Sequence, residues 1–282
     1  MRRSAVRLLL LLPLLLSACT TSGLTGRDQF LLVSDSMAVS QSAAAYTQMM
    51  ADFGKKKQVE TGTPRAEKVK EMTDRLVKQA VRVRPDAAKW AWEVQVINDP
   101  KVVNAFCMAG GKMAIYTGMW DKLKATDEEI AQVMGHEIAH ALADHTRERM
   151  SIAYTTAAVT TAVAIGARDS GPGAGLALTG AQLAAVVAIT LPNSRTGESE
   201  ADQIGIELAA RAGYDPRAAV TLWEKMAKVG GGGPPEFFST HPSPQNRAAR
   251  LAELGRQVTP LYLAAKAGTA TDGDKLITFP RK

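Results

Sequence analysis

His136, Glu137 and His140 stand in the run His-Glu-Ile-Ala-His. Each residue of an α-helix turns by about 100°, so residues four apart differ in direction by only about 40°. The two imidazoles therefore project from one face and can grip a single ion, and neutral imidazole nitrogen suits Zn2+. Glu137 lies beside them. It can take a proton from a water molecule attacking a carbonyl and pass that proton to a leaving amine. The spacing points to metal-assisted hydrolysis of an amide bond. Ile138, Ala139, Ala141 and Leu142 make the flanks apolar, which argues against a solvated helix that carries two histidines by chance.

Catalytic zinc usually has three protein ligands and one open position. His145 is close by, but five residues beyond His140 it points about 140° away on a continuous helix. It is predicted to be a hydrogen-bonded structural residue near the helix end. Metzincin spacing also fails, because Ala143 and Thr146 stand where glycine and histidine are needed. Glu198 and Asp202 fit better: four apart on a predicted helix, they share a face. Glu198 then serves as the third ligand, and Asp202 accepts the second N–H of a ligating histidine. Glu200 is turned about 200° from Asp202 and faces away. The expected cofactor is one Zn2+ per chain. Gly110, Gly111 and Lys112 open a stretch, running to Ile115, that can lie against an extended substrate backbone by β-augmentation; the same glycines also suit a plain hairpin turn. Cys107 reads as a buried strand residue.

These residues need elements to hold them. Thr126 or Asp127 caps a helix predicted to run to about Met150, with Asp127, Glu128 and Glu129 complementing its dipole. A helix is expected over residues 28–53, and another from Pro64 to about Val83 with Val69, Met72, Leu76 and Ala80 on one stripe. Trp90 to Ile97 alternates as a strand, and residues 104–117 read as two short strands around Gly110-Gly111. Residues 152–191 suggest two small-residue helices packed in the core around an exposed Gly171-Pro172-Gly173 turn, the alternative being a mobile hairpin that covers the active site or touches a membrane. Each half is shorter than the roughly 20 residues a membrane span requires. Further helices are expected over Glu198–Ala212, Pro216–Val229 and from His241-Pro242-Ser243-Pro244 to about Leu254, with a flexible loop at 230–235 and weak structure after 255. The fold class is mainly α with a small β-sheet (α+β), and residues 28–255 form the catalytic domain.

The N-terminus reads differently. Arg2, Arg3 and Arg7 precede an apolar run, Leu8 to Leu16, that ends in Leu16-Ser17-Ala18-Cys19. This resembles a bacterial lipobox: residues 1–18 a signal peptide, Cys19 the lipidated residue anchoring the protein to membrane, and residues 19–27 a tether. Thr20 then suggests the periplasmic face of an outer membrane. Without residues 1–18 the formal charge falls from +6 to +3, and Cys107 is the one remaining thiol, so no internal disulfide is expected. No basic patch is interleaved with aromatics, so nucleic acid is not an expected partner.

The motifs together resemble the CAAX prenyl protease type I family of gluzincin metallopeptidases, over roughly residues 60–255. The resemblance rests on Asn104-Ala105-Phe106, Gly110-Gly111-Lys112, Tyr116-Thr117-Gly118, Thr126 to Ile130 leading into His136-Glu137, Glu198 to Asp202, and His241-Pro242-Ser243-Pro244 with Arg247. The lipobox and size are most similar to its small periplasmic lipoprotein proteases. The resemblance implies zinc on His136, His140 and Glu198. It implies a functional His241, which either stabilises the oxyanion or swings in to close the metal position. Arg247 or Arg195 assists, and the sequence does not decide between them. The implied activity is cleavage of unfolded or misassembled cell-envelope proteins. The alternative is a chaperone-like factor with a gated site, partnering outer-membrane assembly.

Overall fold

The computed structural model describes residues 19–166, 195–229, 237, 241, 246–269 and 276–278. A short hairpin of β1 (Cys19–Thr21) and β2 (Asp28–Phe30) leads to helix α1 (Asp35–Lys55), strand β3 (Val59–Glu60) and helix α2 (Pro64–Val83). Strands β4 (Glu93–Ile97), β5 (Ala105–Met108) and β6 (Lys112–Tyr116) follow, then a one-turn helix α3 (Gly118–Asp121). Helices α4 (Asp127–Leu142), α5 (His145–Gly166), α6 (residues 195–211), α7 (Ala218–Lys228) and α8 (Arg247–Lys266) complete the described chain. The α+β expectation is met: helices surround a four-stranded sheet of order β3-β4-β6-β5, in which β4 and β6 run parallel and the other pairs antiparallel.

The core is organised around α4. Every residue from Glu129 to Leu142 is buried, so the helix has no solvent face. It packs against β5, α2 and α7. α2 offers it the expected stripe of Val69, Met72, Leu76 and Ala80, all buried. Both helices start where their side chains cap them. The Thr63 hydroxyl accepts from the Ala66 N–H at 3.1 Å ahead of Pro64. Thr126 and Glu129 form a capping box, Thr126 Oγ1 accepting from Glu129 N at 3.3 Å and Glu129 Oε2 from Thr126 N at 2.8 Å.

The structure departs from the sequence reading in five places. First, residues 19–27 are not an open tether. Ser22 and Arg27 close a turn, and Arg27 and buried Gln29 fasten the hairpin to the body. Second, α1 begins at Asp35, not at residue 28, because Ser34 accepts from the Met37 N–H and sets the first turn there. Third, the helix carrying His136 stops at Leu142. Asp144 takes a left-handed conformation (φ 57°), and Arg84 ties off the end by donating to Leu142 O at 2.9 Å and pairing with Asp144 at 3.1 Å. α5 then starts afresh at His145. Fourth, the described part of residues 152–191 is exposed along most of 153–165 and not packed in the core, with Tyr154 and Ile165 facing solvent; residues 167–191 lie outside the described residues, as does the expected loop at 230–235. Fifth, α8 continues past Leu254 to Lys266, and farther on Glu207, fully buried on α6, accepts from the backbone N–H groups of Ile277 and Thr278 at 3.0 Å each.

Glu129 supports a prediction. Burial pushes its carboxyl up, but the Lys225 ammonium, the Thr126 N–H and the Thr221 hydroxyl outweigh this and hold it below its usual value. A depressed folded-state value gives stability that is complete above the unfolded value, about 4.3, and is lost as pH falls through the folded one. Glu129→Gln should therefore unfold more easily than the wild type above about pH 5, with the gap closing as pH falls below about 4. Denaturant midpoints across that range check it. At neutral pH, Thr126→Ala should lose about 1 kcal/mol through the cap alone.

Candidate metal centre

α4 holds His136 and His140 on one face with their Nε2 atoms 3.1 Å apart. α6 crosses α4 and brings Glu198 down on them, its Oε2 3.3 Å from His136 Nε2 and its Oε1 3.4 Å from His140 Nε2. The crossing is possible because both helices lack a side chain where they touch. A Cβ on Gly135 would sit 2.8 Å from Gly205 O, and one on Gly205 would sit 2.7 Å from the backbone of His136. Gly205 is seven residues beyond Glu198 and three beyond Asp202, on the same helix face. The contact that brings the helices together is thus adjacent to the residues that need to meet.

A fourth donor enters from outside α4 and α6. His241 Nδ1 is 3.1 Å from Glu198 Oε1 and its Nε2 is 3.5 Å from Glu137 Oε1, with its ring stacked on Phe237 at 4.3 Å. Ligand atoms of His136, His140, Glu198 and His241 all lie within 4.8 Å of one another, and all four residues are buried.

Each ligand is held from behind. His136 Nδ1 is 3.1 Å from Asp202 Oδ1, which also accepts from Arg247 Nη2 at 2.6 Å. Arg247 donates through Nη1 to Glu198 Oε2 at 3.3 Å and lies 3.6 Å over the Trp223 ring. The structure therefore selects Arg247; Arg195 is exposed. Behind His140 stands His145, Nδ1 to Nδ1 at 2.8 Å. On one unbroken helix His145 would point away from His140. The break at Asp144 turns the chain and delivers it to His140.

The electrostatics match a cation site. Burial would raise the Glu198 carboxyl, yet the imidazoles of His140, His136 and His241 hold it far below the usual carboxylate range. Burial works against a charged His136, but Asp202 and Glu198 raise it to about 9, so this ring has to release a proton before its nitrogen can bind a cation. Burial drives His140 well below its usual value, keeping it neutral and able to donate a lone pair. Burial also raises Glu137, whose Oε1 is buried without a hydrogen-bond partner. Two imidazoles and a carboxylate, with an unpartnered carboxylate oxygen beside them, fit a divalent metal and a molecule between the metal and Glu137.

The substrate strand expected at Gly110, Gly111 and Lys112 is not there. Both glycines have φ of 80° and form the hairpin turn between β5 and β6, packed on Val39 and Trp92, while Lys112 pairs with Glu93 at 2.9 Å. β6 is bonded on both sides, since β4 runs parallel to it, so it has no free edge. The edge strands of this sheet are β3 and β5, and β5 is the one next to β6. β5 packs on α4, the helix that carries Glu137, and its buried Cys107 thiol is pushed up by burial and by the Glu137 charge. Cys19 is exposed at the start of β1.

An HExxH helix completed by a glutamate from a second helix defines a metallopeptidase centre of the gluzincin kind. The chain belongs to peptidase family M48, whose model matches residues 64–255. It is 38% identical to the mitochondrial metalloendopeptidase OMA1 of Arabidopsis thaliana over 186 residues, 65% of this chain and 36% of the relative. It is 33% identical to the mitochondrial metalloendopeptidase OMA1 of Bos taurus over 246 residues, 83% of this chain and 45% of the relative. It is 30% identical to the β-barrel assembly-enhancing protease of Escherichia coli over 183 residues, 63% of this chain and 37% of the relative. The chain thus spans less than half the length of these curated relatives. They carry the family and not the narrower lipoprotein type. They also overturn the expected location on the periplasmic face of an outer membrane: relatives from plant, animal and yeast are mitochondrial, and residues 1–18, which suggested that location, lie outside the described residues.

The crossing yields a prediction. Gly205→Ala places a methyl against the His136 backbone and should separate the ligand helices. The expected result is a loss of divalent-metal affinity of tenfold or more in chelator competition, alongside a lower Tm, while Ala209→Gly, one turn on, lowers Tm without comparable metal loss.

Proposed function

We propose that the protein is a zinc-dependent endopeptidase acting on extended segments of unfolded or misassembled proteins. The observation that carries this reading is the buried, unpartnered Glu137 Oε1 beside a cluster of two imidazoles and one carboxylate. His136, His140 and Glu198 would hold the zinc. Bound there, Zn2+ supplies Lewis acidity, which acidifies water and polarises a carbonyl. The chain's own residues do the rest. Glu137 Oε1 accepts the proton of the attacking water and returns it to the leaving amine, and its burial-raised affinity for a proton suits it to both steps. Asp202 and His145 hold the second nitrogens of His136 and His140, fixing which nitrogen faces the ion. β5, at the edge of the sheet beside Glu137, takes an extended substrate backbone, which a folded protein does not offer.

A second reading, a client-binding assembly factor whose protease site is gated, is favoured by His241. Four protein donors make a closed site, and His241 reaches both Glu198 and Glu137. The two readings part on one variant. His241→Ala should cleave faster if His241 closes the site, and slower by about 10²–10³ if it stabilises the oxyanion.

Glu137→Gln tests the main reading. Hydrolysis of an unfolded protein such as reduced casein should fall by at least about 10²-fold with zinc content unchanged. Chelation should abolish cleavage by the wild type, and added Zn2+ should restore it. Unimpaired cleavage by Glu137→Gln removes Glu137 from the chemistry.

A further inference from the structure

The contacts behind His140 do not end at His145. His145 Nε2 lies 2.9 Å from Glu200 Oε2, and the other oxygen of that carboxylate accepts from Arg27 Nε at 2.9 Å. The protons along this line have one consistent order when Nε2 of His140 faces a metal. His140 Nδ1–H donates to His145 Nδ1, His145 Nε2–H donates to Glu200, and Arg27 donates to Glu200 from the far side. Every acceptor has its donor, and the line ends in a guanidinium. Arg27 is fixed in turn: its two terminal nitrogens donate to Glu148 at 2.9 and 2.7 Å. Gln29, two residues on, donates to Ala143 O at 2.7 Å, just beyond the last residue of α4. His145, Glu148 and Glu200 are buried, and Arg27 is largely so. Arg27 lies well before residue 64, where the family match begins.

We propose that Arg27 is a positioning residue for the metal centre, acting through Glu200 and His145 on the ring of His140. The inference rests on the metallopeptidase reading above. Its physical basis is a requirement of the carboxylates. Glu148 and Glu200 are both buried and both bound to Arg27, and without the guanidinium between them they repel. Glu200 then turns from His145, and the imidazole pair behind the metal loses its anchor. The N-terminal hairpin is therefore part of the centre, joined to it by a line of three hydrogen bonds, and the peptidase domain defined by the family match lacks the last of its members.

The test measures zinc affinity of the full chain by competition with a chromophoric chelator at neutral pH, together with kcat and KM for a peptide. Arg27→Met keeps the aliphatic stem and removes the donors. It should weaken zinc binding by about 10- to 100-fold, the range for residues that orient metal ligands, with kcat lowered at unchanged KM. The Co2+-substituted variant should show an altered d–d spectrum. Glu148→Gln loosens the hairpin but leaves Arg27 on Glu200, so its zinc affinity should stay close to wild type even where its Tm falls. If Arg27→Met does not fold, Glu200→Gln reads the same link, because its amide cannot accept from both His145 and Arg27. Wild-type zinc affinity in Arg27→Met or Glu200→Gln overturns the proposal. So does equal weakening in Glu148→Gln, which would make hairpin docking the cause. A wild-type chain that binds no zinc overturns the metallopeptidase reading as well, so the two failures are distinguishable.

Discussion

The centre depends on the contact of two bare helix surfaces. Gly135 and Gly205 let the backbones of α4 and α6 approach until a methyl group would not fit. Nothing else in the described structure brings a carboxylate within 3.4 Å of two imidazoles carried by a different helix. Helix axes normally stand about 8–10 Å apart, a separation set by the side chains at the contact. Removing those side chains lowers it, and Glu198, one turn before Asp202, reaches its partners from within the helix. The packing around the pair is correspondingly complete. α4 is buried on all sides, so it cannot roll to compensate for a bulkier neighbour.

Bringing Glu198, Asp202 and Glu137 into the interior sets the electrostatic problem that the remaining side chains solve. A buried carboxylate is expensive unless it is paired and hydrogen-bonded. Arg247 meets two of the three at once, its guanidinium fork spanning Glu198 and Asp202 while its face lies on Trp223. Such a pair adds little to net stability, but its geometry is directional, and direction is what ligands require. Glu137 is left out of this arrangement. Its Oε1 has the His241 ring nitrogen Nε2 at 3.5 Å and no hydrogen bond. The carboxylate with the least support is the one assigned to move a proton.

The sequence shows the ligands more clearly than their surroundings. Spacing alone marks His136, Glu137 and His140, because a helix makes period equivalent to position. It also picks out Glu198 with Asp202, because both lie on one face. The α2 stripe and the Thr126 cap are legible for the same reason: they are local. His145 is not, since its direction depends on a break at Asp144 that Arg84, some 60 residues earlier in the chain, helps to hold. The strand that ends the sheet beside the centre is also hidden. Gly110 and Gly111 mark a turn correctly, but which strand is left unpaired follows from β4 lying parallel to β6, a long-range choice. Arg27 sits in a stretch whose Thr, Ser and Gly content reads as linker, and only its partners on α5 and α6 show otherwise. Gly135 and Gly205 were visible as residues, and their shared role appears only once the helices cross.

The buried carboxylate of Glu207 has a consequence for how the molecule is made. It lies on α6, the helix that carries Glu198 and Asp202, and its acceptors are filled by Arg211 and by the backbone of Ile277 and Thr278. Synthesis proceeds from the N-terminus, so the metal-binding helix is translated about seventy residues before the groups that complete its far side. Until they emerge, Glu207 faces Arg211 alone. The helix that carries Glu198 is thus completed by residues made well after it, and its far side stays open until residues 277 and 278 have joined it.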